Sequence, residues 1–255
     1  MALLDRLRRG SREPAPPVYP PGKRMYCIGD IHGRADLLAE LQRRIVADAA
    51  DFAGQRQLLY LGDYVDRGEQ SRQVLDLLTA GPPSGFEQIH LLGNHEQAML
   101  DFLLDPLAMA GWLSWGGAAT LRSYGIHAGV IASRQELQAL RDRLEAALPP
   151  QHREFLANGR PAYAEGDYYF VHAGVRPGVK LEKQAYEDQL WIREEFLHSR
   201  HDYGAVVVHG HSIEEQVEFR ENRIGIDTGA FYTGVLTALV LEGTGQRLIQ
   251  TGSPA

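Results

Sequence analysis

A chain of 255 residues, 44% hydrophobic and 23% charged, has the composition of a globular protein able to bury a sizeable core in one domain. Its 26 basic residues against 33 acidic ones leave a net charge of −7, which argues against general nucleic-acid binding. No apolar run reaches the roughly 18 residues of a membrane helix, and a single cysteine, Cys27, excludes a disulfide framework and favours the cytoplasm.

The opening MALLDRLRRG holds an apolar run too short for a signal-peptide core and reads as a helical arm. The proline-rich SREPAPPVYPPG that follows, residues 11–22, is expected to be extended and mobile, so residues 1–22 form a flexible arm ahead of one domain over 23–255. From Lys23 the pattern repeats: an apolar run, a Gly-Asp or Gly-Asn loop, then an amphipathic stretch. RMYCI leads into GDIHG, RQLLYL into GDYVDRG, and FEQIHLL into GNHE, with the loops about 30 residues apart, as parallel βαβ units require. Cys27 lies inside the first of these runs and reads as a small core residue.

Residues 106–158 read as a helical insertion, with SRQELQALRDRLEAAL as the strongest helix and Pro149-Pro150 as its stop. Strands with turn signals follow, and Gln216 to Asp227 reads as two strands around Glu221-Asn222. The expected fold is an α/β sandwich of mixed β-sheets flanked by helices, parallel in its first half and mainly antiparallel in its second.

Groups at the carboxyl ends of parallel strands converge on one rim, where ligands bind. Those ends carry Asp30 and His32, Asp63 with Asp66 and Arg67, and Asn94 with His95; His172 in YYFVHAG and His211 in VVVHGHS are two further candidates. Carboxylates, imidazoles and an amide oxygen suit divalent manganese, iron or zinc. Two ions account for the pool better than one, and a pair about 3.5–4 Å apart is a known device for displacement at phosphorus. Asp63 is the natural bridge and Asn94 a neutral oxygen ligand. His95 is placed to protonate a departing oxygen, with Asp66 a candidate to orient it. Arg67 offers a planar fork for phosphoryl oxygens.

GDIHG, GDYVDRG, GNHE, HAG and GHS, in this order over residues 24–252, resemble the metal-dependent phosphoprotein phosphatases of the calcineurin-like metallophosphoesterase fold. The resemblance implies one cation held by Asp30, His32 and Asp63, and a second held by Asp63, Asn94, His172 and His211. It implies His95 as general acid with Asp66 as its partner. It also implies Arg67, Asn94 and, from QLWIREEF, Arg193 as phosphate-binding groups. Trp112 and Trp115 either line a substrate cleft or pack the insertion. His209 reads as a support behind the ligands or as a structural histidine, while His127, His198 and His201 read as solvated. Asp227 reads as a neighbour of the site or as a turn cap, and Glu96 as a hydrogen-bonding support.

The activity this implies is hydrolysis of phosphoserine and phosphothreonine, with phosphotyrosine as an extension, by direct attack of metal-bound hydroxide. The cofactors would be two divalent ions, manganese first with iron or zinc as alternatives. The partner would be a phosphorylated protein or peptide, with no nucleic acid and no membrane. Hydrolysis of dinucleoside polyphosphates is the alternative on the same site. A non-catalytic binding module is the alternative of another class.

Overall fold

The three βα units fold as strands β1 (Lys23–Ile28), β2 (Gln55–Tyr60) and β3 (Phe86–His90) alternating with helices α1 (Ala35–Asp48), α2 (Ser71–Thr79) and α3 (Asn94–Leu104). The last four residues of β1 and of β2 are buried, as continuous apolar strands covered on both faces must be. Helix α1 buries Leu37, Leu38, Leu41 and Ile45, and α2 buries Val74, Leu75 and Leu78, apolar stripes at helical spacing that face the sheet. The residues described in this computed structural model are 15–129 and 133–252.

The helical insertion holds a 3-10 turn over Ala110–Trp115 and helices α4 (Gly117–Ser123), α5 (Arg134–Ala147) and α6 (Pro150–Ala157). Helix α5 starts on a capping box: Ser133 Oγ accepts from the Glu136 amide at 3.2 Å, and the Glu136 carboxylate accepts from the Ser133 amide at 2.9 Å. The Pro149-Pro150 pair ends α5 and also begins α6, where a proline in the first turn forgoes no hydrogen bond. Strands β4 (Ala162–Glu165) and β5 (Tyr168–Val171) follow, then helices α7 (Tyr186–Trp191) and α8 (Glu194–Leu197). The chain closes with β6 (Val206–His209), β7 (Glu218–Phe219), β8 (Arg223–Gly225), helix α9 (Ala230–Thr233), β9 (Thr237–Glu242) and β10 (Gly245–Gln250).

Two five-stranded sheets result, ordered β10-β9-β1-β2-β3 and β4-β5-β6-β8-β7. Met25, Cys27, Leu59 and Leu239 of the first meet Tyr168, Phe170, Val208 and Ile224 of the second in one apolar cluster. The second half of the chain is less antiparallel than its turn signals suggest. The β4–β5, β7–β8 and β9–β10 hairpins are antiparallel, but β5–β6 and β6–β8 pair in parallel at the centre of the second sheet. Long connections, such as the one bearing α7 and α8, return each strand in the same direction.

Of the N-terminal arm, residues 1–14 lie outside the described residues. Within the rest, packing starts before Lys23: Tyr19 is fully buried, its amide donates to Gly243 O at 2.7 Å, and its hydroxyl bonds Gln57 and Glu165 at 2.7 Å each. A large ring among prolines finds a place between the sheets, so this part of the arm is fixed. No helix among the described residues is long and apolar enough to cross a membrane.

Candidate metal and phosphate site

The candidate residues do meet at the strand ends. Asp63 is the centre: its Oδ2 lies 3.3 Å from His32 Nε2 and 3.9 Å from His95 Nε2, and its Oδ1 lies 3.4 Å from His172 Nε2. Asn94 Oδ1 stands 2.9 Å from His172 Nε2, and Asp30 Oδ2 accepts from the His211 amide at 3.0 Å. All of these side chains are buried. Among the described residues, two groups have ligand atoms close enough to share an ion, His32–Asp63–His95 and Asp63–His172–His211, and Asp63 belongs to both.

The loops that carry them are strained. Among the described residues, the non-glycine positions with left-handed φ are His32, Asp63, Asp66, Arg67 and His211, all of them candidates from the sequence. Such conformations persist where surrounding structure over-determines them, and they cluster at functional sites. Glycine makes the close approach of the loops possible: Gly62 has φ 109°, and a Cβ there would stand 2.5 Å from Gly93 N. Glu96 ties the loops together. Its Oε2 accepts from the amides of Asp63 at 2.8 Å and Gly93 at 3.0 Å, and its Oε1 from those of Tyr64 at 2.7 Å and Val65 at 3.1 Å. Burial and the nearby Asp63 charge push Glu96 up to about 8. Four N–H donors leave no acceptor for a carboxyl proton, however, so the ionised form is the one that fits this geometry.

The protonation pattern of the cluster suits cations. His32 Nδ1 faces Val65 O at 2.8 Å and His172 Nδ1 faces Leu61 O at 3.0 Å; a carbonyl can only accept, so each Nδ1 carries the proton. The Nε2 of each ring then points at the oxygens of Asp63 and, for His172, of Asn94. Burial keeps His172 below its ordinary value and takes His211 down to about 2, so both rings are neutral. Lone pairs facing lone pairs repel unless a positive charge lies between them. Asp30 Oδ1, His32 Nε2, His211 Nε2 and Asp227 Oδ2 are buried without hydrogen-bond partners, a further mark of a place for divalent ions. Burial, with the charges of Asp227 and Asp63, pushes Asp30 well above the usual carboxylate range, a repulsion that a cation would relieve.

Beside this cluster, His95 Nδ1 donates to Asp66 Oδ2 at 2.7 Å. Burial works against a charge on His95, but the carboxylates of Asp63 and Asp66 outweigh it and raise the ring above its ordinary value. Asp66 is itself fixed: Trp112 Nε1 donates to Oδ2 at 2.8 Å and Thr120 Oγ1 to Oδ1 at 2.6 Å. Arg67 Nη2 lies 3.2 Å from His95 Nε2. Arg193 is exposed at the start of α8, near enough for its charge to act on the His211 ring.

The remaining readings sort cleanly. Trp112 is buried and packs the insertion, whereas Trp115 is 44% exposed. His209 turns away from the cluster toward the backbone of Gly210 and the Arg223 guanidinium, with burial holding it down at about 4. His127, His198 and His201 are exposed. Asp227 does both things considered: its Oδ1 accepts from the Gly229 amide at 3.0 Å, while Oδ2 is left among the site's carboxylates. The sequence reading missed Thr120 and the Trp112–Asp66 bond, and it underweighted Glu96. Only Glu96 carried a signal, as the third residue of a helix capped by Gly93.

A family profile of calcineurin-like phosphoesterases matches residues 23–228. A bis(5'-nucleosyl)-tetraphosphatase PrpE (asymmetrical) from Anoxybacillus flavithermus is 25% identical over 235 residues, covering 83% of this chain and 88% of the relative. A solved structure provisionally assigned as a diadenosine tetraphosphatase superposes with a TM-score of 0.63 at 21% identity, over 94% of this chain and all of the other. The cold-active protein-tyrosine phosphatase of a psychrophilic Shewanella species superposes with a TM-score of 0.57 at 18% identity, over 91% and 80% of the two chains.

Proposed function

Because the chain belongs to the calcineurin-like phosphoesterase family, we propose that it is a hydrolase of dinucleoside polyphosphates that works with two divalent cations. The convergence of acceptor atoms on Asp63 carries the chemistry of this reading, and the PrpE relative, which aligns over most of both chains, supports the substrate. The expectation of a phosphoprotein phosphatase with a phosphorylated protein or peptide as partner is overturned by the nucleotide-named relatives. The His95–Asp66 pair does not rescue that expectation, because a general acid can serve whichever oxygen departs from phosphorus and its presence alone does not select a phosphopeptide.

Asp30, His32 and Asp63 would hold one cation, and Asp63, Asn94, His172 and His211 the other. When bound, such ions neutralise phosphoryl charge and make water acidic enough to attack at neutral pH. Manganese is the first candidate for this oxygen and nitrogen donor set, with iron or zinc as alternatives. Arg67, Arg193 and Asn94 would orient the phosphoryl oxygens. His95 delivers a proton to the departing phosphate oxygen from Nε2. Asp66 holds the ring by its Nδ1–H, and Trp112 and Thr120 hold Asp66. The lone buried thiol, Cys27, accords with a cytoplasmic setting. Incubation with Mn²⁺ and diadenosine tetraphosphate, read by anion-exchange chromatography, is expected to yield mononucleotides, and EDTA to stop it. Intact dinucleotide after exposure to the metal-loaded chain would refute the reading.

A further inference from the structure

We propose that Trp115 and Trp191 form a stacking subsite for a nucleobase of the substrate; this rests on the hydrolase reading and names where that substrate's base lies. Single exposed aromatics are ordinary on protein surfaces, but two in contact beside a catalytic cluster are not. Trp115 is 44% exposed and Trp191 39% exposed, and their rings meet edge to face at 5.8 Å and 71°. An edge-to-face pair leaves an indole face open to a further flat ring.

The pair is attached to the site from both sides. Trp191 stands edge-on to His211, with ring centroids 6.2 Å apart, at the end of a helix whose Gln189 carbonyl accepts from the amide of Ala173, next to His172. Trp115 precedes Gly116, whose carbonyl accepts from the Arg67 amide at 3.3 Å. A group stacked on these indoles is thus one imidazole away from the cluster. A nucleotide has that reach, with its base one sugar away from its phosphate.

Phe231, Tyr186 and Trp112 are already engaged. Phe231 has the Arg67 guanidinium over its face at 4.9 Å and stands edge-on to His32 at 5.6 Å. The Tyr186 hydroxyl bonds Gln97 at 2.7 Å. Trp112, three residues before Trp115, is buried and spends its N–H on Asp66. The net charge of −7 disfavours long nucleic acid, while stacking on indole accepts any base and needs no basic groove.

Calorimetric titration with AMP and with ribose 5-phosphate, both in Mn²⁺, isolates the base from the phosphate. The wild-type chain is expected to bind AMP about tenfold more tightly than ribose 5-phosphate. Trp115→Ala and Trp191→Ala should each abolish most of that preference, and Trp191→Phe, which keeps a flat ring, should retain part of it. Equal binding of the two ligands to the wild type, absence of AMP binding at millimolar concentration, or a preference that survives both alanine substitutions would overturn the subsite. The two readings fail separately. An AMP preference in a chain that leaves diadenosine tetraphosphate uncut would overturn the hydrolase assignment and keep the subsite, whereas cleavage without a base preference would do the reverse.

Discussion

Replacing Glu96 with Gln changes one oxygen to an NH₂ group and little else in shape. In the native chain each Glu96 oxygen accepts from two backbone amides, Oε2 from Asp63 and Gly93 and Oε1 from Tyr64 and Val65. Whichever way the new amide turns, two buried N–H groups lose their acceptor and face a donor instead. An unsatisfied buried donor costs about 1–3 kcal/mol, so Glu96→Gln should cost roughly 2–6 kcal/mol, a large part of the 5–15 kcal/mol that ordinarily holds a domain folded. In a chain of this size that corresponds to a fall in Tm of about 5–20 °C. The same amides hold Asp63 at φ 52°, so cation affinity should fall as well, on the order of 10- to 100-fold. Thermal and urea unfolding of the metal-free protein measures the first effect, and titration with Mn²⁺ the second. Unfolding free energy within about 1 kcal/mol of the wild type would refute the claim that Glu96 braces these loops.

Asp63→Asn removes the charge shared by both candidate ion groups, and inductively coupled plasma analysis should find fewer Mn²⁺ ions per chain than in the wild type; unchanged occupancy would remove Asp63 as the bridge. His95→Ala should lower kcat on diadenosine tetraphosphate by about 10²-fold, the low end for a general acid, because a departing nucleotide phosphate needs less protonation than an alkoxide. Equal turnover of the two proteins would exclude His95 from proton transfer. Burial opposes the charge on Glu165, but Lys23, Tyr19, Tyr163 and Gln57 outweigh it and hold the folded carboxyl below its ordinary 4.5. A carboxyl depressed in the folded state adds stability above its unfolded value, and the addition disappears as pH falls through the folded value. Glu165→Gln should therefore lower Tm at pH 7, and the loss should shrink as the pH is taken below 4.5; a loss that does not change with pH would contradict the ion-pair account.

The first half of the fold was legible because strands buried on both faces leave unbroken apolar runs, and because each run stops at a glycine followed by a ligand-type side chain. Gly62 and Gly93 show why the pattern is so sharp: only glycine lets the Asp63 and Asn94 loops touch. The centre of the second sheet was less legible. Strands of three or four residues such as β5, β6 and β8 carry too few positions to reveal their direction, which is set by the length of the connections between them. Nothing in the sequence distinguishes Trp112 from Trp115, since the bond from Trp112 to Asp66 is made across 46 residues of chain. Substrate choice was the main misreading. The motifs describe the surroundings of phosphorus, and those surroundings serve a phosphopeptide and a dinucleotide alike.

The central claim is a preference, and a side-by-side assay measures it. With the Mn²⁺-loaded chain at one pH, kcat/KM for diadenosine tetraphosphate is expected to exceed that for phosphoserine and phosphotyrosine peptides by at least about tenfold, a transition-state preference of roughly 1.4 kcal/mol. Faster turnover of either phosphopeptide would contradict the account.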